Sequence, residues 1–394
     1  MKDGELIMKI IYVVSRPLEI NTSASIRNRA TIEGLVELGH SVNIITTKPD
    51  PKHINYDSSI NSPNIETTYL KLGGVQTVAK VGRRFRFLKP LKKLGYKLLV
   101  KADIYDNLKG IANYADKLGI KDGDYDLIIS SSDPKSSHLF VNNMFERKII
   151  SKTPWIQIWG DPFLSDITRK NKSLNKKIKK EEDRLLNYAK KVIYVSQLTL
   201  EEQKNIYPAH AEKMEYVPVP YIKEEIYPKV DLDKETLTFL YCGDYHSNVR
   251  NIKPLYDAVE KTGHKLIICG NSDVKLENTE NISVYPRVSY EKIKEFEKES
   301  DVLVHLSNLI GTQIPGKIYH YSGTNKPILF ILDGDREKIR NMFAKYNRYI
   351  FSENSVSHLE KVLLNISDEK YKDTLFCVKD FSPRGIAEKI IKMK

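Results

Sequence analysis

Short apolar runs recur along the chain, separated by helical stretches. In the first half they read KIIYVVS (9–15), HSVNIITT (40–47), YDLIISSS (125–132), PWIQIW (154–159) and KVIYVS (191–196). In the second half they read LTFLYCG (237–243), KLIICG (265–270), NISVYP (281–286), DVLVHLS (301–307) and KPILFIL (326–332). Runs so nearly continuous in apolar residues suit strands covered on both faces. Between them, stretches such as TIEGLVELGH and NIKPLYDAVEKTGH, the latter ending at Gly263, carry helix signals and make parallel β-α-β units. The expectation is an α/β chain with two doubly wound parallel sheets, one per half.

At 394 residues the chain exceeds what one hydrophobic core usually holds, which agrees with two domains. The break falls in MEYVPVPYIKEEIYPKVDLDKE, where Pro218, Pro220 and Pro228 interrupt regular structure. This gives a first domain of 1–218 and a second beginning at 219. Hydrophobic residues at 41% and charged residues at 29% exclude a disordered chain. No apolar run approaches the ~18 residues needed to span a bilayer. Cys242, Cys269 and Cys377 lie far apart without Cys-x-x-Cys spacing, which argues against a metal knuckle or disulfide framework and for a reducing compartment. Sixty-three Lys+Arg against 51 Asp+Glu leave +12, which points to nucleic acid, an anionic membrane or phosphorylated small molecules as partners. Neither half carries G-x-G-x-x-G after its first strand; SRPLEINTSAS and GDYHSNVRN stand there instead. A dinucleotide oxidoreductase is disfavoured, and the lack of G-x-x-x-x-G-K-[ST] excludes a P-loop kinase.

Two Rossmann-like halves facing a central cleft make the GT-B arrangement, with ligands at the carboxyl ends of the strands. After DVLVHLS the second half reads GTQIPGKIYHYSGTNKPIL (311–329). Following Ile314, Pro315 suits the first helical position, Gly316 permits close approach to its free amides, and Lys317 adds a point charge: a diphosphate seat. Lys317, His320 and Tyr321 share one helical face. The alternative is an ordinary helix start with a solvated lysine and a packed His320. Gly243 and Gly270 end strands, serving either ligand approach or a tight turn. Arg287 and Val288 follow NISVYP, with Arg287 either in the cleft or in solvent.

Pro315, Gly316, Lys317, His320 and Tyr321, followed by Lys326, Pro327 and Ile328, resemble the donor-binding helix of bacterial glycosyltransferases of family 4, a retaining GT-B group. RATIEGLVELGHSVNIIT resembles the first helix and second strand of that family's acceptor domain. FLYCGDYHSNVRNIKPLYDAV resembles the opening of its donor domain. FSPRGIAEKIIKMK resembles its C-terminal helix, so the resemblance implies a donor domain at 219–375 and a helix at 376–394 crossing back to the first domain. The family often carries two glutamates seven residues apart, the second gripping the ribose; here Thr312 and His320 stand there. Its diphosphate-neutralising Arg and Lys align roughly with Asp244 and Arg250, leaving Arg250 with Lys317 as a replacement.

In the first half, RPLEINTSASIRNRA follows the first strand. Ser23 and Ser25 suit close approach to a ligand, Ser25 or Asn21 caps a helix beginning near Ile26, and Arg27 either meets phosphate or is exposed. WIQIWGDPFLSD places Trp159 and Asp161 at a strand end, resembling the family's acid-proline segment. Asp161 is a candidate for orienting the acceptor hydroxyl or accepting its proton, or else a turn residue. In a retaining enzyme the leaving phosphate can itself take the proton, so positioning and charge neutralisation by Arg250 and Lys317 carry the chemistry.

RRFRFLKPLKKLGYKLLVK (83–101) holds no acid. A helix from Pro90 would put leucines on one face and Lys92, Lys93 and Lys97 on the other, beside Arg83, Arg84, Arg86 and Lys89, which suits an anionic membrane surface or a solvated face. Lys172, Lys176, Lys177, Lys179 and Lys180 make a second cluster, followed by Glu181, Glu182 and Asp183. No nucleic-acid module accompanies the charge. The expectation is a cytoplasmic glycosyltransferase at the inner face of the cell membrane, moving sugar from a nucleotide-sugar to a lipid-linked or glycan acceptor. It needs no cofactor beyond that substrate and no metal. The alternatives are an inactive GT-B protein that binds glycan or lipid, and a non-transferring enzyme such as a nucleotide-sugar 2-epimerase.

Overall fold

The computed structural model describes residues 7–58, 60, 65–72, 103–167, 169, 172–368 and 374–394. The chain divides into two compact units, Met1–Pro218 with Ile386–Lys394, and Val219–Gly385. In the first, strands β1 (Lys9–Val13), β2 (Ser41–Thr47), β3 (Glu66–Leu70), β4 (Leu127–Ser131), β5 (Trp155–Trp159), β6 (Lys191–Tyr194) and β7 (Met214–Tyr216) form one parallel sheet in the order β3-β2-β1-β4-β5-β6-β7. Its helices are α1 (Ser23–Glu37), α2 (Ser136–Glu146), α3 (Asn175–Leu186) and α4 (Gln197–Ile206). The order reverses between β1 and β4, so the loops leaving those two strands diverge and open a crevice at their carboxyl ends.

The second unit repeats the plan. Strands β8 (Thr238–Cys242), β9 (Lys265–Cys269), β10 (Ile282–Tyr285), β11 (Val302–Leu306), β12 (Ile328–Leu332) and β13 (Ile350–Glu353) lie parallel in the order β10-β9-β8-β11-β12-β13. The reversal falls between β8 and β11. The unit's helices are α5 (Lys253–Thr262), α6 (Tyr290–Glu299), α7 (Lys317–Tyr321), α8 (Arg336–Ala344) and α9 (Val356–Leu364), while α10 (Pro383–Ile391) begins in this unit and has most of its length in the first. Gly263 ends α5 with φ +72°, a left-handed turn that only glycine takes without strain.

Strands β4, β5, β11 and β12 are buried at every position, as their apolar runs require. Three strands went unexpected. The ETTYL of β3 is a half-exposed edge with polar residues, β7 is only MEY, and β13 reads IFSE. Each lies at a sheet edge, where one-sided burial demands less apolar sequence. Helix starts also shift. Thr22, not Ser25 or Asn21, caps α1 by accepting the Ser25 N–H at 3.2 Å. Residues 83–97, with Arg83, Arg84, Arg86, Lys89, Lys92, Lys93 and Lys97, lie outside the described residues. Among the described residues no helix is long and apolar enough to cross a membrane.

Candidate functional site

At the carboxyl end of the first sheet, the loops after β4 and β5 bring together groups from distant sequence. Arg27, on α1, is not exposed as one alternative had it. It is buried, donating to Ser131 Oγ at 3.3 Å and to the Ser132 carbonyl, with no side chain on Gly160 to block its guanidinium. The same seam holds Asn28, whose Oδ1 accepts from Tyr12 at 3.1 Å and Ser131 at 2.6 Å. Ser25 is spent on the Ile20 carbonyl at 2.7 Å, while Ser23 stays exposed.

Asp161 stands in an acidic group the sequence reading did not assemble. Asp133 hydrogen-bonds to it, Asp166 lies nearby, and Lys135 pairs with Asp133 and, at 3.2 Å, with Asp166. Burial, then the neighbouring Asp133 charge, pushes the Asp161 carboxyl up to about 7, against the pull of Lys135. Such a group changes protonation near neutral pH, as a proton acceptor must. The loop is fixed from below. Glu182 on α3, fully buried, accepts the N–H groups of Phe163 at 2.7 Å and Leu164 at 2.9 Å and the Tyr207 hydroxyl at 2.8 Å. Trp159 does not face an acceptor, as had been expected. Alternation along β5 puts it on the core face with Trp155 and Gln157, where its N–H donates to Gln157 at 2.8 Å and its ring stacks on His138 at 4.3 Å. The signal for Asp133 and Lys135 was available: SDPK directly follows a buried strand, as GDP does after β5.

In the second unit Arg250 spans the switch point. Its Nη1 donates to the Asp244 carbonyl after β8 at 2.6 Å, and its Nε donates to Asn308 Oδ1 after β11 at 2.9 Å. No carboxylate among the described residues pairs with it. Asp244 turns its carboxylate elsewhere, to Arg287 at 2.5 Å and the Asn271 N–H at 2.9 Å. Arg287 is exposed, as its solvent alternative had it, but it is paired with Asp244, and Val288 beside it is half-buried. Gly270 is required by packing: a Cβ there would overlap the Gly243 carbonyl. Gly243 is less crowded and donates its N–H to Cys269 at 2.8 Å.

The stretch Ile314–Tyr321 departs from expectation in three ways. Gly316 is the N-cap of α7 and Pro315 precedes it, because the Ile318 N–H already turns back to the Pro315 carbonyl at 3.4 Å. The helix has five residues, so its dipole adds little and side chains must hold any anion. Tyr321, expected on a ligand-facing side, is fully buried, with its ring 5.3 Å from the Lys317 ammonium. Sequence reading also missed Glu297 on α6. It is completely buried, with Oε1 3.4 Å from His320 Nε2 and 3.7 Å from Lys317 Nζ, and Oε2 2.6 Å from Lys294. Burial pushes the Glu297 carboxyl up, but His320, Lys317 and Lys294 together hold it below the usual carboxylate range. Burial also lowers the His320 imidazole, which is therefore neutral near pH 7. Glu297 reaches His320 and Lys317 from a neighbouring helix, a long-range juxtaposition that local spacing does not reveal.

No protein-family model matches the chain, and no curated protein matches it. Solved structures do. A glycosyltransferase from Rickettsia africae superposes with a TM-score of 0.58 at 13% identity, covering 98% of this chain and 97% of that one. The Arabidopsis thaliana protein UGT89C1, complexed with UDP-L-rhamnose, gives 0.55 at 13% identity, over 99% of this chain and 100% of the other. A UDP-N-acetylglucosamine 2-epimerase gives 0.52 at 10% identity, over 98% and 95%. The fold is GT-B: two Rossmann-like domains with parallel sheets of seven and six strands.

Proposed function

We propose that this protein is a glycosyltransferase that takes its sugar from a nucleotide-sugar. The observation that carries the reading is Arg250, a cation held at the switch point of the second sheet by neutral oxygens alone. A guanidinium positioned without a carboxylate keeps its charge for a ligand, and a diphosphate is the anion such a crevice suits. Lys317 is the second diphosphate contact, and Ile314, Gly316 and His320 line the same loop. In the first unit Asp161 orients the acceptor hydroxyl.

The acceptor in this reading is lipid-linked or a glycan, and the product belongs to cell-surface polysaccharide or glycolipid synthesis. The likeness of 315–328 to family 4 supports retention of configuration, with the leaving phosphate taking the acceptor proton. The net charge of +12 supports peripheral association with an anionic membrane.

The test is a thermal-shift panel of UDP-, GDP-, dTDP- and CMP-sugars, because a ligand of the folded state raises apparent stability. One nucleotide class should stabilise the parent. A charge-assisted hydrogen bond is worth roughly 1.5–3 kcal/mol, so Arg250→Ala and Lys317→Ala should each weaken that nucleotide about ten- to a hundredfold. Normal affinity in both variants would move the phosphate site elsewhere. The epimerase that shares this fold motivates one control: turnover of the nucleotide-sugar with no acceptor would make the protein an isomerising enzyme instead.

A further inference from the structure

We infer that the pocket between α3 and the 206–209 segment of the first unit seats the phosphate of an anionic phospholipid, docking this face on a membrane surface. The helix reads NKKIKKEEDRLL, where lysines beside acids suggest a self-neutralised surface. The structure separates them. Glu182 turns inward to the Phe163 and Leu164 amides, Glu181 is held by Tyr105 at 2.7 Å and Arg184 at 2.6 Å, and Asp183 accepts from or pairs with His210 at 3.1 Å. Lys176, Lys179 and Lys180 remain exposed, and no carboxylate among the described residues forms an ion pair with them.

Their spacing of three and four residues sets all three ammoniums on one helical face. With Asp183, whose carboxylate meets His210 at 3.1 Å, they line a cavity of about 430 Å³ whose far wall is Ile206, Tyr207, Pro208 and Ala209. That wall is pinned: the Tyr207 hydroxyl donates to Glu182 at 2.8 Å and approaches the Lys179 carbonyl at 3.4 Å. Three ammoniums against the one Asp183 carboxylate leave the helix side net positive, and with apolar groups on the other side the cavity matches a molecule that is phosphate at one end and hydrocarbon at the other. A free phosphate shares the first half of that chemistry and has no use for the second. The inference rests on the reading that the acceptor is presented at a membrane, but it requires nothing of the donor site.

The test is sedimentation of the full chain with vesicles of phosphatidylglycerol and, separately, phosphatidylcholine. The parent should bind the anionic vesicles at low salt and release at high salt. Removing the three charges in Lys176→Gln/Lys179→Gln/Lys180→Gln should lower partitioning roughly a hundredfold, since each basic residue at an anionic surface contributes on the order of fivefold. Glutamine keeps helix propensity, so the melting temperature should not move. A control with the same charge removed from exposed Lys48, Lys121 and Lys152 should still bind. Equal loss in that control, no loss in the first variant, or salt-independent binding of the parent would each overturn the inference. So would a thermal shift by inorganic pyrophosphate, lost in the first variant, without retention on vesicles. Nucleotide-sugar binding measured on the same variant should be unchanged, which separates a failure here from a failure of the transferase reading.

Discussion

The carboxyl ends of the two sheets occupy the same topological position and have opposite electrostatics. In the first unit the arginine at the switch point, Arg27, also donates only to neutral oxygens, but it is buried beneath the loops and so is out of a ligand's reach. What surrounds that seam is acidic: Asp133, Asp161 and Asp166 around the single Lys135. In the second unit the acids are tied off, Asp244 by Arg287 and Glu297 by Lys294, Lys317 and His320, while Arg250 keeps an unopposed charge. One crevice is left with a cluster of acids and the other with a cation. Fold alone does not distinguish them; the side chains that seal each loop decide which charge is left over.

The largest expected effect tests the acidic side. Asp161→Asn should lower sugar transfer roughly a hundredfold or more while leaving nucleotide affinity intact. The fold raises this carboxyl from 3.8 to about 7, so it favours the protonated form. Its contribution to stability is fully present below pH 3.8 and lost as pH rises through 7. The asparagine variant should therefore gain melting temperature over the parent at pH 8 and not near pH 4. An equal change at both would mean Asp161 is solvated and ionised throughout.

Gly270→Ala attacks the other crevice through its backbone. The added methyl meets the Gly243 carbonyl, which cannot rotate away, so the cost should be about 1–3 kcal/mol, with nucleotide binding lost as the β8 loop moves. Gly160→Ala makes an instructive contrast, because its clash is with the movable end of Arg27. It should be milder in the melt, and nucleotide affinity should stay at the parent value. If both variants behave alike, the two loops are not held differently.

The smallest effect is on the Glu297 cluster. His320→Glu sets a second carboxylate beside a buried one and should cost about 1–3 kcal/mol at pH 7, easing as pH falls and one acid protonates. Unaltered stability would place residue 320 in open solvent. His320→Gln, which keeps a polar neutral group, should melt close to the parent.

Much of the fold was legible because burial on both faces writes itself into sequence. YDLIISSS and KPILFIL have no polar stripe, and nothing but a covered strand suits them. The edge strands β3, β7 and β13 were hidden for the opposite reason, since an edge asks little of its residues. Arg250 and Asp161, singled out from sequence, lie in the loops that follow β8 and β5. Side-chain facing was misread. Trp159 ends its strand and Tyr321 lies one helical turn from Lys317, yet both point into the core. Proximity in sequence fixes neither direction nor depth.

The amino-acid sequence by itself determined two parallel α/β sheets, their approximate strands and the loops that follow them. Those follow from local periodicity and from turn residues, which act over a few positions. Only the tertiary structure decided which charges remain unspent. Glu182 and Phe163 are nineteen residues apart, Glu297 and His320 twenty-three, and Arg250 and Asn308 fifty-eight. Whether an acid is buried, paired or exposed depends on partners at those separations, and pairing energy depends on distance and surrounding polarity, not on spacing along the chain.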